Sequence, residues 1–276
     1  MSKQFPAHLN PECFQISDFE DSHEAFFWLG YFAGRSTAPG DPAVEDLNNL
    51  KKLGVTDPPP EVVDKVKDLS DGPGVPLSQL AEFCAFDTET SGLSSNDCAV
   101  QMAIGFFRAD GSAMGFYNRL WKLPPGGKIS SSAMRVHKIT AFALEREGVD
   151  AGPEIRAVHR ILQTMKKRGK AIVAHNASFD VRMLKQTAAK NGFNEWSIET
   201  ADVFCTMQGA KPRCGLVSDK TGKPKAPSNA ELYRILSGEA PNVPLHDAVS
   251  DVKVTGKSFF IGAQRGWWAL CNTKKS

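Results

Sequence analysis

Phe86-Asp87-Thr88-Glu89-Thr90-Ser91-Gly92-Leu93 closes an apolar run that begins near Glu82, and the rest of the chain is read outward from it. The spacing predicts a strand over Glu82 to Asp87. Successive strand side chains alternate faces, so Asp87 and Glu89, two apart, point the same way. Two carboxylates on one face repel unless they share a divalent cation through oxygen, which is how magnesium and manganese are held. Gly92 permits a sharp exit that leaves the strand end open. An isolated Asp-x-Glu is also compatible with a plain polar turn, so the decision rests on the other acidic stretches.

The second such stretch is His175-Asn176-Ala177-Ser178-Phe179-Asp180. It follows a short apolar run, Ala171 to Ala174, predicted as a buried strand, and opens a helical pattern over Ser178 to Lys190 with Ser178 or Asn176 as cap. Asp180 then stands in the first turns of a helix beside the carboxyl end of a strand, where ligands of open α/β sheets gather. The third is His246-Asp247-Ala248-Val249-Ser250-Asp251, after Pro241 and Pro244. Asp247 suits an N-cap, which sets Asp251 one turn inside the last helix and His246 outside it. A rigid helix favours a metal ligand. Some freedom favours a base, and an imidazole with an unperturbed pKa of ~6.5 titrates near working pH. His8, His23 and His159 sit in no acidic constellation and are read as ordinary surface histidines.

Around these stretches the pattern predicts strands over Cys98 to Phe107 and Ser112 to Leu120, joined by an Arg108-Ala109-Asp110-Gly111 turn. Helices are predicted from Pro153 to Lys167, Asn229 to Leu236 and Asp247 to Gln264, with a fifth strand over Ile198 to Val203. A hairpin-built start followed by alternating helices and strands implies an α/β fold with a mixed five-stranded sheet flanked by helices. Residues 1 to 78 lack strand alternation. Glu24 to Arg35 and Ala43 to Leu53 read as short helices, and Pro58-Pro59-Pro60 with Asp71-Gly72-Pro73-Gly74 mark a boundary. Two domains are expected, a small helical region over 1–78 and a catalytic domain over 79–276.

Composition is that of an ordinary globular protein, 41% apolar and 23% charged in 276 residues. No apolar stretch reaches the ~18 residues of a membrane span and Met1 to Pro11 lacks the pattern of a signal peptide, so a cytoplasmic protein without membrane attachment is expected. The six cysteines form no CxxC pair, which points to reduced thiols. The net charge of +2 proves no polyanionic partner, but Lys211, Arg213, Lys220, Lys223 and Lys225 cluster against a single Asp219 in a Gly- and Pro-rich stretch. A mobile basic loop is expected there, suited to a phosphate backbone through counterion release.

Taken in order, these stretches resemble the DnaQ-like 3′-to-5′ exonucleases, specifically the DEDDh group: Asp87 and Glu89 in FDTETSGL, Asp180 in HNASFD, and His246 with Asp251 in HxAxxD. A sister group carries tyrosine four residues before the last aspartate; here Asp247 occupies that place. Val136-His137-Lys138-Ile139-Thr140 is similar to the family's VHGIT segment, with Lys138 where glycine is usual. The resemblance covers about Glu82 to Ala263. It implies a ribonuclease H-like fold and release of nucleoside 5′-monophosphates from a free 3′ end, with DNA slightly favoured over RNA. It further implies two divalent cations, Mg2+ or Mn2+, held by Asp87, Glu89, Asp180 and Asp251, with His246 as general base. Thr90, Leu93, His137, Asn176 and Phe179 would lie near the terminal nucleotide, and Lys220, Lys223 and Lys225 along the backbone. The expected partner is single-stranded or 3′-ended nucleic acid. Three alternatives stay open: an exoribonuclease of RNA processing or decay, a nuclease-fold binding subunit without catalysis, and a replication or repair protein docked on the N-terminal region, for which Phe26 to Phe32 would offer an aromatic face.

Overall fold

The computed structural model describes residues 77–243 and 245–270. The helices expected over Glu24 to Arg35 and Ala43 to Leu53 lie outside the described residues. Chain order is α1 (Leu77–Leu80), β1 (Phe83–Thr90), β2 (Ala99–Phe107), β3 (Ala113–Leu120), α2 (Ser131–His137), α3 (Ala141–Glu147), α4 (Ala151–Lys167), β4 (Ala171–Ala174) and α5 (Ala177–Lys190). A single 3-10 turn, Thr200–Asp202, then precedes β5 (Val203–Cys205), α6 (Thr206–Ala210), α7 (Asn229–Ser237) and α8 (Ala248–Gln264).

The five strands form one mixed sheet in the order β3-β2-β1-β4-β5. β1–β2 and β2–β3 are antiparallel, while β1–β4 and β4–β5 are parallel. This is the mixed five-stranded sheet expected from the sequence. The hairpin between β2 and β3 turns where predicted: Arg108 N–H donates to Ser112 O, Gly111 N–H to Arg108 O, and Gly111 has φ 81°. That left-handed angle suits a residue without a Cβ.

Alternation along β1 sorts its side chains between two layers. Phe86 joins Met102, Ile104, Trp121, Ile155, Leu162, Ile172 and Leu184 in the core beneath α4 and α5. Phe83 and Ala85 join Ala103, Phe107, Val173, Val252 and Phe259 beneath α8. Phe83 stacks on Phe107 with centroids 4.8 Å apart, and Gly256 of α8 admits that ring, since a Cβ there would stand 2.2 Å from Phe107 Cζ. Continuing the same alternation, Asp87 and Glu89 fall on the α8 side, and Thr88 falls on the α5 side. Each fully buried large apolar side chain contributes roughly 1.5–3 kcal/mol, so both layers are held firmly enough to bring charged groups together where they end.

Several boundaries differ from expectation. β1 runs on to Thr90, because pairing with β2 continues through Glu89↔Gln101 and Thr90↔Ala99; the two carboxylates are within the strand, not beyond it. The fifth strand is Val203–Cys205, not Ile198 to Val203, because Glu199 and Asp202 form a reciprocal capping box that closes a turn first. α4 begins at Ala151, capped by Asp150 through Gly152 N–H, with Pro153 inside its first turn. α2, α3 and α6 were not expected; they are only five to seven residues long, too short for a periodic signal.

α1 belongs to the same body. Leu77 is 2% exposed within the larger core, and Arg168 Nη1 donates to Ser78 O and Ala81 O, closing the helix end onto α4. Leu77→Ala is therefore expected to cost about 2–4 kcal/mol by lost burial and a residual cavity, measured by urea denaturation; a change below about 0.5 kcal/mol would place α1 outside the cooperative unit.

Candidate active site

The site forms where β1 ends between α5 and the start of α8. One ligand oxygen each from Asp87, Glu89 and Asp251 lies within 4.8 Å of the others. β1 supplies two of them by strand alternation, and α8 supplies the third from its first turn. Asp251 is oriented at both oxygens: Asn229 Nδ2 donates to Oδ1 (3.0 Å) and the His246 backbone N–H to Oδ2 (2.7 Å). Asp180, 2% exposed in the first turn of α5, accepts at Oδ1 from Thr88 N–H (3.1 Å) and Thr88 Oγ1–H (2.8 Å). It is thereby tied to the residue between Asp87 and Glu89.

The electrostatics follow from this crowding. Burial first, then the charges of Asp180, Asp251, Glu89 and Asp247, hold the Asp87 carboxyl well above the ordinary carboxylate range. Burial and then Asp251, Asp247 and Asp180 push Glu89 up to about 8. Asp180 rises to about 7, chiefly by burial, with the two Thr88 bonds opposing the rise. All-oxygen, all-anionic donors at this spacing fit a hard divalent cation.

His246 is exposed, with φ 70°, immediately before the N-cap of α8. Asp247 caps that helix as expected, accepting from Ser250 N–H at 3.2 Å. Asn176 also has φ 67° and stands at the start of α5, but its side chain makes no capping bond. Of the residues expected near a terminal nucleotide, Leu93 is 74% exposed, which removes core packing as its explanation. Phe179 is half-buried with the Arg182 guanidinium 5.3 Å from its ring centroid. Thr90 is buried, and its hydroxyl donates to Gly92 O. The His137 ring is buried, and both of its nitrogens bond within the protein. Ile139 N–H donates to Nδ1 (3.0 Å), so Nε2–H donates to Thr90 O (3.1 Å). Its work is to fasten α2 to the end of β1.

The basic loop is likewise more ordered than expected. Val217 and Pro224 form an antiparallel bridge, Ser218 N–H donates to Lys223 O and Lys225 N–H to Leu216 O, making a small hairpin. Lys220 and Lys223 are exposed on it, while Lys225 pairs with Glu231 at 2.7 Å.

Four positioning residues escaped the sequence reading. Besides Thr88 and Asn229, Gln101 is 5% exposed in β2; its Nε2 donates to Asp247 Oδ1 (3.0 Å) and Ala248 N–H donates to its Oε1 (3.3 Å). It holds the start of α8 against the sheet. His175 Nε2–H donates to Pro227 O (3.1 Å), leaving Nδ1 to accept from Thr206 Oγ1 (2.9 Å), and burial lowers its pKa to about 4. The signal available was a polar residue inside a wholly apolar strand, as with Gln101, since buried polar groups are hydrogen-bonded.

The RNase_T exonuclease family matches residues 84–259, more than half of the chain, and the chain belongs to that family. No curated protein sequence matches it. Solved structures with a similar fold include exonuclease I of Methylocaldum szegediense, at 17% identity and TM-score 0.52 over 66% of this chain and 40% of that one. E. coli exonuclease I in complex with a dA16 oligonucleotide aligns at 18% identity and TM-score 0.53, over 66% and 41%. The zinc ion bound E. coli ExoI-ssDNA complex aligns at 17% and 0.51, over 66% and 40%. These likenesses identify the fold as ribonuclease H-like. The chain spans about two fifths of the length of those structures.

The raised carboxylates set a pH dependence. Glu89 and Asp180 bind protons more tightly folded than unfolded, so the stability they contribute is present below their ordinary carboxylate values and is lost as pH rises through about 7 to 8. In EDTA the Tm is expected to fall between pH 5 and 8 more than other groups account for. Added Mn2+ should raise the Tm more at pH 8 than at pH 6. A manganese shift that is absent, or larger at pH 6, would contradict a cation site formed by these acids.

Proposed function

We propose that the chain is a 3′-to-5′ exonuclease of the histidine-containing DEDDh group, hydrolysing phosphodiester bonds from a free 3′ end and releasing nucleoside 5′-monophosphates, with DNA slightly favoured over RNA. The observation that carries this reading is the approach of Asp87, Glu89 and Asp251 to within 4.8 Å, with Asp180 tied in through Thr88. The family match supports exonuclease chemistry, and the oligonucleotide named in an E. coli exonuclease I complex of similar fold supports single-stranded DNA as substrate.

Asp87, Glu89, Asp180 and Asp251 would hold two divalent cations, magnesium or manganese. When bound, such ions stabilise the attacking and leaving oxygens of an in-line displacement. The remaining work falls to the chain itself. His246, exposed and anchored at its backbone by Asp251, takes the proton of the attacking water and gives it up to solvent. Asn229 and Thr88 fix the orientation of Asp251 and Asp180, so the donor atoms need little rearrangement before chemistry. Leu93 presents an apolar surface to a terminal base, supported by a loop in which Asp97 accepts from Ser91 Oγ, Ser94 N and Ser94 Oγ. Lys220 and Lys223 follow the phosphates beyond the terminal nucleotide.

Digestion of end-labelled single-stranded DNA, duplex DNA and RNA with magnesium or manganese tests polarity, sugar preference and metal together. Asp87→Ala is expected to lower kcat by at least ~10³-fold with the fold intact, and His246→Ala by ~10²–10⁴-fold, the span of general base catalysis; thermal melts verify folding. Turnover near wild type in either variant, or cleavage that persists in EDTA, would contradict the assigned roles. Lys220→Ala with Lys223→Ala should reduce the slope of log affinity against log salt by about 1–1.5, given ~0.7 per phosphate contact on single strands. Lys225→Ala should add less because Glu231 already engages it. An unaltered slope would remove the hairpin from the substrate path.

A further inference from the structure

Among the described residues three that are not glycine have left-handed backbones: Lys138 (φ 62°), Asn176 (φ 67°) and His246 (φ 70°). All three stand on segments tied to the elements that carry the acidic cluster. Asn176 opens the helix of Asp180 and His246 precedes the helix of Asp251. Lys138 follows His137, whose ring is bonded to Thr90, the residue after Glu89. Such conformations persist where surrounding structure imposes them and gather at functional sites. Asparagine tolerates this region of backbone space, and His246 has the role described above. Lysine at 138 is the one with neither a permissive side chain nor an assigned role.

Lys138 ends α2, its backbone N–H donating to Met134 O at φ 62° and ψ 3°. Glycine adopts that helix-ending conformation without a Cβ penalty, and what the lysine side chain adds there is one bond from its ammonium to a carbonyl of the last turn. The position is also closely fixed. His137 receives the Ile139 N–H at Nδ1 and bonds Thr90 O through Nε2, so the residues on both sides of Lys138 are fastened to the exit of β1. The ammonium of Lys138 bonds the carbonyl of Arg135 on its own helix and makes no ion pair among the described residues. Lys185 and Lys225, by contrast, are committed to Glu199 and Glu231.

We propose that Lys138 is a substrate-binding residue whose ammonium contacts a backbone phosphate of the strand being degraded, close to its 3′ end. The proposal rests on the exonuclease reading above and names a contact that reading does not contain. An acidic cluster repels a phosphodiester strand. A cation on the segment that His137 fastens to the end of β1, the strand of Asp87 and Glu89, would offset that repulsion and gain affinity by displacing counterions. The strained backbone is retained because the side chain, not the turn, is what the position supplies.

The test compares wild type, Lys138→Gly and Lys138→Arg on a 5′-labelled single-stranded oligodeoxynucleotide with Mn2+ across a salt series. Lys138→Gly should raise the Tm by about 1–3 °C through relief of the left-handed strain. It should at the same time raise KM about three- to tenfold, change kcat less than about twofold, and reduce the salt slope by about one contact. Lys138→Arg should recover KM and slope, since it restores the charge. Wild-type KM and slope in Lys138→Gly would overturn the proposal while leaving the nuclease intact. Activity lost in proportion to folded protein would also overturn it, because the lysine would then serve the fold. A wild-type chain that degrades no nucleic acid would remove both the proposal and the reading beneath it.

Discussion

Three carboxylates drawn from β1 and α8 stand with oxygens within 4.8 Å of one another, and their mutual repulsion is what the surrounding structure must hold against. At that separation and an effective dielectric of ~20, each ionised pair costs roughly 3 kcal/mol. A single hydrogen bond returns only about 1 kcal/mol net. The bonds around the site therefore orient the acids without neutralising them. Protons or a divalent cation must do the rest; burial first, and then the neighbouring charges, raise the pKa values of Asp87, Glu89 and Asp180 in the protein alone.

Orientation is provided by a set of buried polar crosslinks, each between different elements. Thr88 joins β1 to α5 through Asp180, Gln101 joins β2 to the cap of α8 through Asp247, and Asn229 joins α7 to α8 through Asp251. His175 joins the end of β4 to α6 and to the chain entering α7. Two apolar layers bring the segments near each other, but burial is non-directional and cannot set where a carboxylate oxygen points. Hydrogen bonds in a low-dielectric interior can, and leaving any of these partners unmet would be costly.

Much of this was legible in the sequence, for particular reasons. Strand alternation alone put Asp87 and Glu89 on one side, the cap preference of aspartate put Asp247 at the start of α8, and the change from hairpin to βα alternation implied a mixed sheet. What stayed hidden was long-range or short. Thr88 and Asp180 are 92 residues apart and Gln101 and Asp247 are 146 apart, and no local pattern reports such pairings. α2 and α3 are short helices of seven residues each, whose Ser130 and Thr140 caps are their main signature. His137 was expected at the substrate because its segment resembles a family motif, and no local pattern reported the bonds its ring makes to Thr90 and Ile139. A motif transfers an address more safely than it transfers a role.

The proposed base illustrates how the site divides rigidity from freedom. His246 lies outside α8, exposed, in a backbone conformation that an L-residue enters only under constraint, and the constraint is the Asp251 carboxylate accepting its N–H at 2.7 Å. Asp251 is itself held by Asn229 on the other oxygen. The imidazole can therefore rotate about its own bonds to meet a water and then solvent, while its backbone keeps a fixed distance from the acidic cluster. A ring buried like that of His175, whose pKa falls to about 4, would be fixed but too weak a base near neutral pH; a ring on an untethered loop would be basic but seldom in place. Anchoring the main chain while the side chain stays exposed keeps the proposed base in place and free to turn, and the anchor is one of the carboxylates it is meant to serve.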